Sequence, residues 1–344
     1  MEPYFKRVNA LTPTRMWVNN VTIEQAKLGI ENGAVGCTQN PSFPWKILNN
    51  SSDAPMAKEL LSKIMETTED TDEIIAILQA ELVANICKEF LPIYENSFGE
   101  HGWVSIQGNP FLENVDDIVR FALMHREYAP NVICKIPATK DGLAAIEELC
   151  RKGVPILATE VMSVQQAIDV IDIYERVSSE VETFPMYMAH IAGIFDEHLK
   201  ETVEKNHIEV PDDYLWQAGI LVAKKINSIL INRRSKVRLL SGGARGLHHF
   251  TEMVGADADV TINWAGTADQ LIADNPVVID RFSAPIPEQV IDELVSKVPD
   301  FKKAYVPGEL NPEDYESFGP VVRFRNSFEK GWQSCRDYID SLKK

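Results

Sequence analysis

The residue in this sequence best suited to covalent chemistry is Lys135, which stands in Val132-Ile133-Cys134-Lys135-Ile136-Pro137. This is the continuous apolar run of a strand buried on both faces, with one ammonium group in it. Burying that charge is costly, and the cost is relieved when the group gives up its proton. A neutral amine attacks carbonyl carbon, and the product is an imine. Two plainer roles exist for such a lysine: its stem carries the charge out to solvent, or it pairs with a carboxylate such as Glu160.

Other polar residues recur where apolar runs end: Asn19 and Asn20, Thr38-Gln39-Asn40, Gln107 and Asn109, Thr159 and Glu160, His190, and Ser241-Gly242-Gly243. The elements that must position them follow from the runs themselves. Short apolar segments near 15–19, 34–38, 102–106, 131–136, 154–159, 184–190, 237–241 and 258–263 read as strands. Between them the period changes. Leu143, Ile146, Leu149 and Cys150 share one helical face, as do Ala167, Ile168, Ile171 and Tyr174. Strands alternating with helices imply parallel βα units, and eight of them imply an α/β fold closed into a (β/α)₈ TIM barrel. The barrel is expected over residues 1–286, with room for more than one helix in 43–100. Residues 287–344 read as a helical and loop extension packed on the barrel, covering its mouth or forming a subunit contact. In such barrels the chemistry sits at the strand C-termini, where the polar residues named above fall.

The chain's 344 residues are 45% hydrophobic and 25% charged, enough for one large core. A net charge of −17 disfavours nucleic acid and anionic lipid as partners. No apolar run approaches the ~20 residues that span a bilayer. The opening Met-Glu-Pro-Tyr-Phe-Lys-Arg lacks a signal-peptide core, so the expected location is the cytoplasm. Cys37, Cys87, Cys134, Cys150 and Cys335 are widely spaced and odd in number, which reads as buried, reduced thiols.

Lys135-Ile136-Pro137-Ala138-Thr139-Lys140-Asp141-Gly142-Leu143-Ala144-Ala145-Ile146 resembles the Lys-Ile/Val-Pro-x-Thr-x-x-Gly-x-x-Ala-Ile segment of the transaldolase and fructose-6-phosphate aldolase family. The lysine of that segment is the family's Schiff-base residue. Gly36-Cys37-Thr38-Gln39-Asn40-Pro41-Ser42 is similar to the turn after the second strand, whose asparagine contacts substrate. Thr159, Ser163 and Gln166-Ala167 resemble the fifth-strand block whose threonine helps hold a catalytic water. Ala256-Asp257-Ala258-Asp259-Val260-Thr261 is similar to the entry into the eighth strand. The blocks cover about residues 15–275.

The resemblance implies a class I aldolase or transaldolase that moves a dihydroxyacetone-type unit of a ketose or ketose phosphate through an imine on Lys135. It implies Asn40 as a substrate ligand, Thr159 and Gln107 as holders of the water, and neither metal nor organic cofactor. The partners expected are a sugar or sugar phosphate and further copies of the chain in a homo-oligomer.

Four departures stand out. Asn19 occupies the place of the family's aspartate, and an amide is no general base. Gln107 replaces a glutamate, as in the fructose-6-phosphate aldolase branch. In the sixth-strand block Met188, His190 and Gly193 stand where a serine, an aromatic and a phosphate-binding arginine are usual, which makes His190 a candidate replacement base; a structural histidine is the alternative. Ser241, the following glycines and Arg245 correspond to the family's phosphate site, with Gly243 where its serine is usual; there a helix N-terminus and a guanidinium would cradle an anion. Two other functions stay open on these residues: a different imine reaction, such as isomerisation or dehydration, and a catalytically silent sugar-binding protein.

Overall fold

Helices begin directly after strands in this chain because capping residues follow strand ends. Thr139 accepts the Gly142 N–H and starts the helix Lys140–Arg151; Thr22 with Gln25, and Ser163 with Gln166, form capping boxes for Ile23–Glu31 and Val164–Ser178. The computed structural model describes residues 2–49 and 51–343. Its eight parallel strands are β1 (Arg15–Asn19), β2 (Ala34–Thr38), β3 (Val104–Gln107), β4 (Val132–Pro137), β5 (Ile156–Val161), β6 (Met186–His190), β7 (Arg238–Ser241) and β8 (Ala258–Asn263). They pair in sequence order and close into a barrel through β1 and β8, with Asn19 opposite Asn263. This is the (β/α)₈ barrel that the alternation of patterns implies.

Side chains fill the barrel's lower interior. The Trp17 indole donates to Asp259 Oδ1 at 2.9 Å, its ring lies 5.3 Å from that of Tyr187, and Arg238 approaches Asp259 at 3.5 Å. Inward residues therefore include Trp17, Tyr187 and Arg238, and strand alternation carries that face up to Ala189 and Leu240. The segment between β2 and β3 holds three helices, Phe43–Leu48, Ala54–Met65 and Thr71–Asn96. All five cysteines are buried and free. No described helix is long and apolar enough to cross a membrane.

The tail forms helices Glu288–Lys297, Pro299–Tyr305, Pro312–Tyr315 and Gly319–Leu342. The last buries an amphipathic stripe of Val321, Phe324, Phe328, Trp332, Cys335 and Ile339. It packs on the helices Phe43–Leu48, Thr71–Asn96 and Ala192–Asn206, which places it across the C-terminal end of the barrel. Polar ties fix its position: Trp332 Nε1 donates to Asp72 at 2.8 Å, and Arg336 pairs with the same carboxylate at 2.6 Å. Both bonds converge on one acceptor group, so the helix is held in rotation as well as in place.

Candidate active site

Lys135 projects from β4, level with Gln107 of β3 and Leu157 of β5. Its side chain is 7% exposed, and no ion pair forms at its ammonium among the described residues. The expectation that it escapes to solvent is therefore not met, and Glu160 acts on it only from longer range. Burial draws its pKa down from 10.5 to about 8, with the Glu160 carboxylate opposing. The C-terminal helix supplies a roof: the Phe324 and Phe328 rings lie 5.8 and 5.5 Å from Nζ. In front of the amine opens a cavity of about 200 Å³ at the strand C-termini.

One wall of that cavity, from β1, β2 and β8, is neutral and polar. Asn19 Nδ2 donates to Asn263 Oδ1 at 3.0 Å, and Thr38 Oγ1 donates to Asn19 Oδ1 at 2.9 Å. With its own proton committed, Thr38 accepts from Thr261 Oγ1 at 2.7 Å. Asn19 is thus one member of a hydroxyl and amide chain that spans β1, β2 and β8. Asn40 also lines the cavity, its carboxamide oxygen accepting from the Ser42 N–H at 3.1 Å. Such groups both donate and accept hydrogen bonds.

Behind the lysine lies a second group of polar residues. Gln107 Nε2 donates to Glu160 Oε1 at 3.1 Å, while Gln107 Oε1, Thr159 Oγ1, Glu160 Oε2 and both Glu113 oxygens are buried without a partner. Glu160 adopts a left-handed backbone, φ +60°, a costly conformation for a residue with a side chain. Gln166 holds it there. This fully buried amide donates to Ala138 O at 2.9 Å and Glu160 O at 3.1 Å, clamping the ends of β4 and β5 together. Burial pushes the Glu160 carboxyl up to about 7, against the Gln107 amide and the Lys135 charge. Glu113 is pushed well above its ordinary range, first by burial and then by the charge of Glu160.

Not every expected residue reaches the mouth. His190 does not: it is fully buried on the outer face of β6, with Nδ1 2.9 Å from Val161 O and Nε2 3.0 Å from Gly219 O. Alternation sends Tyr187 and Ala189 inward and His190 outward, and burial lowers its pKa to about 4 despite the two carbonyls. It is a structural histidine in this fold. Ser241 is corrected on the same grounds, because Leu240 and Gly242 line the cavity and Ser241 faces the other way.

Arg245 borders the cavity, but its guanidinium is engaged. Nε lies 3.1 Å from Glu197 Oε2, and Nη1 donates to the Gly243 and Ala244 carbonyls at 3.3 Å. The helix expected after β7 is only the four residues His248–Thr251, so it adds little dipole to an anion cradle. At Gly193 the β6 and β7 loops touch. A Cβ there would lie 2.1 Å from Gly243 O, so the phosphate-binding arginine usual in the resembling family has no room at this position. Asp196, His248 and His249 could together hold a metal ion, but His249 Nε2 already bonds Asp196 Oδ2 at 3.0 Å, and His249 Nδ1 accepts the Arg245 N–H at 3.2 Å.

Sequence reasoning missed Glu113 and the roof residues Phe324, Ser327 and Phe328. The i, i+4 phenylalanines in an apolar stripe were the available signal for a roof; a lone glutamate in the β3 loop carried none. Gly142, by contrast, shows why its motif has glycine: a Cβ would sit 1.8 Å from the Pro137 carbonyl that ends the lysine's own strand.

A closed eight-stranded barrel with a buried lysine on the cavity at its strand C-termini defines a (β/α)₈ protein with its candidate site at the end where such barrels hold their chemistry. The family described as Transaldolase/Fructose-6-phosphate aldolase matches residues 16–298, and the chain belongs to it. Proteins named "Transaldolase" from Thiobacillus denitrificans and Mycobacterium ulcerans are 29% identical over 173 and 171 residues, covering 47% and 46% of this chain. One from Mycobacterium tuberculosis H37Rv is 30% identical over 173 residues, 46% of this chain. The aligned part spans 44–46% of these relatives' own lengths, slightly under half.

Proposed function

We propose that this protein is a transaldolase-like enzyme that cleaves or transfers a dihydroxyacetone-type unit of a ketose through a Schiff base on Lys135. One observation carries the reading: a buried amine with a pKa near 8, roofed by phenylalanines, opens onto a cavity with one wall of neutral hydrogen-bonding groups. The neutral amine adds to the ketone carbon, and loss of water leaves the iminium ion. The bond between the third and fourth carbons then breaks as the hydroxyl on the fourth loses its proton. Its electron pair moves into the iminium, and an aldehyde departs. Addition of the enamine to a second aldehyde returns the proton and, after hydrolysis, frees the amine.

In this reading Asn19 and Asn40 bind substrate hydroxyls, Gln107 and Thr159 hold the water that carries protons, and Arg245 meets an anionic end. The test is three-carbon exchange between a labelled ketose phosphate and an aldose acceptor, followed by product analysis. Label in the acceptor-derived ketose, lost in Lys135→Ala, supports the reading; neither exchange nor aldehyde release with any donor in a ketose panel contradicts it. A second reading, imine-dependent isomerisation or dehydration, draws on Asn19, whose amide offers no base beside the substrate. It predicts a product with the donor's full carbon count.

A further inference from the structure

With Asn19 an amide and His190 facing outward, proton transfer needs another group, and the side of Lys135 away from the substrate cavity supplies one. A second, small cavity of about 20 Å³ lies there, bounded by Gln107, Glu113, His125 and Lys135. That volume suits one water molecule, which needs two to four polar partners. The walls offer them: Gln107 Oε1 and His125 Nε2 are unpartnered on side chains 2% exposed, and both Glu113 oxygens are unpartnered as well. Lys135 is the one residue that lines both this cavity and the substrate cavity.

We propose that Glu160 and Glu113, bridged by Gln107 and a water in the small cavity, form a carboxyl pair that stores the proton moved during imine chemistry at Lys135. The proposal rests on the Schiff-base reading and adds the group that reading lacks. Burial and the charge of Glu160 hold Glu113 well above its ordinary range, so Glu160 ionises first and the pair keeps one proton near neutral pH. In cleavage, the substrate hydroxyl gives its proton through water to the ionised carboxylate, Glu160. The stored proton returns to the alkoxide when the enamine adds to an acceptor, so the pair is unchanged over a full transfer. The strained backbone of Glu160, held by Gln166, fits a residue placed for chemistry at a cost in stability.

The charged and titratable groups facing the pair come from four directions. Lys135 of β4 and Arg325 of the C-terminal helix favour ionisation of Glu160, and Glu316, before that helix, opposes it. His125 closes the small cavity from the helix Val115–Arg126, and burial keeps it neutral, with a pKa of about 3.

The test combines pH profiles with imine trapping. Glu160→Gln should lower kcat about 10²–10⁴-fold, the usual contribution of a general acid/base, while borohydride with ketose still labels Lys135. Below pH 7 the slope of log(kcat/KM) against pH should fall from two to one, because only the amine then titrates. Glu113→Gln should move the Glu160 step at least half a pH unit higher, since the protonated Glu113 carboxyl no longer donates through the bridge to the ionised Glu160; a residue needed only for packing would not do this. If Glu160→Gln fails to fold, the Glu113→Gln shift decides alone. Unchanged kcat and slope in Glu160→Gln, or an unmoved step in Glu113→Gln, overturns the proposal while trapping at Lys135 leaves the Schiff-base reading standing. A wild-type enzyme with no adduct at Lys135 overturns both.

Discussion

Replacing Lys135 by methionine should make the protein more stable at neutral pH, because the fold holds an ammonium where it prefers an apolar group. The lysine's pKa falls from 10.5 to about 8 on folding. A group depressed in this way contributes stability that is fully present above pH 10.5 and lost as pH falls through 8. At 1.36 kcal/mol per unit, the wild type at pH 7 forgoes about 3 kcal/mol. Methionine keeps the stem's packing and discards the charge. It also loses the cation–π contacts with Phe324 and Phe328, about 0.5–2 kcal/mol, so a net gain of about 1–3 kcal/mol is expected. Urea unfolding of both proteins at pH 7 and pH 10 measures it. The variant should unfold at higher urea at pH 7, and most of that advantage should vanish by pH 10. A variant that is less stable at pH 7, or whose gain does not depend on pH, would refute the claim that Lys135 is held against its electrostatic preference.

Phe328→Ala should open the roof and let the Lys135 pKa climb back toward its ordinary value, moving the acidic limb of kcat/KM to higher pH; an unmoved limb rules out a desolvating roof. Arg245→Ala should raise KM for a phosphorylated ketose about tenfold and leave an unphosphorylated one unchanged, whereas Glu197→Gln, which frees the guanidinium, should lower it. Equal effects on both substrates would count against charge recognition. His190→Asn should cost about 1–3 kcal/mol in urea unfolding, since the neutral ring's one N–H is lost to a buried carbonyl, while kcat per folded molecule stays within about twofold. A large loss of kcat without loss of stability would return His190 to the chemistry.

The strands were legible because a parallel sheet covered on both faces reads as unbroken apolar runs, and the predicted spans lie within about two residues of the observed ones. Lys135 and the Lys135–Ile146 segment were legible because their reasons are local. The carbonyl that excludes a Cβ at Gly142 lies five residues back along the same chain. His190 and Ser241 were misread through strand parity. Adjacent residues face opposite sides, and which side is inward follows from Trp17, Tyr187 and Arg238 filling the barrel below. The roof and the carboxyl pair were hidden for another reason. Phe324 and Glu113 meet Lys135 only through packing across some 190 and 22 residues of chain, which no local pattern encodes. The small cavity behind the lysine exists only once β3, β4 and the helix Val115–Arg126 are assembled.

The central claim is that Lys135 forms the imine, and peptide mapping of the borohydride-reduced complex tests it most directly. Wild-type protein incubated with a ketose donor and borohydride should carry one added sugar-derived mass, on the peptide containing Cys134-Lys135-Ile136. Lys135→Met should carry none and turn over no donor. An adduct on another lysine in the wild type, or turnover that survives in Lys135→Met, would contradict the account.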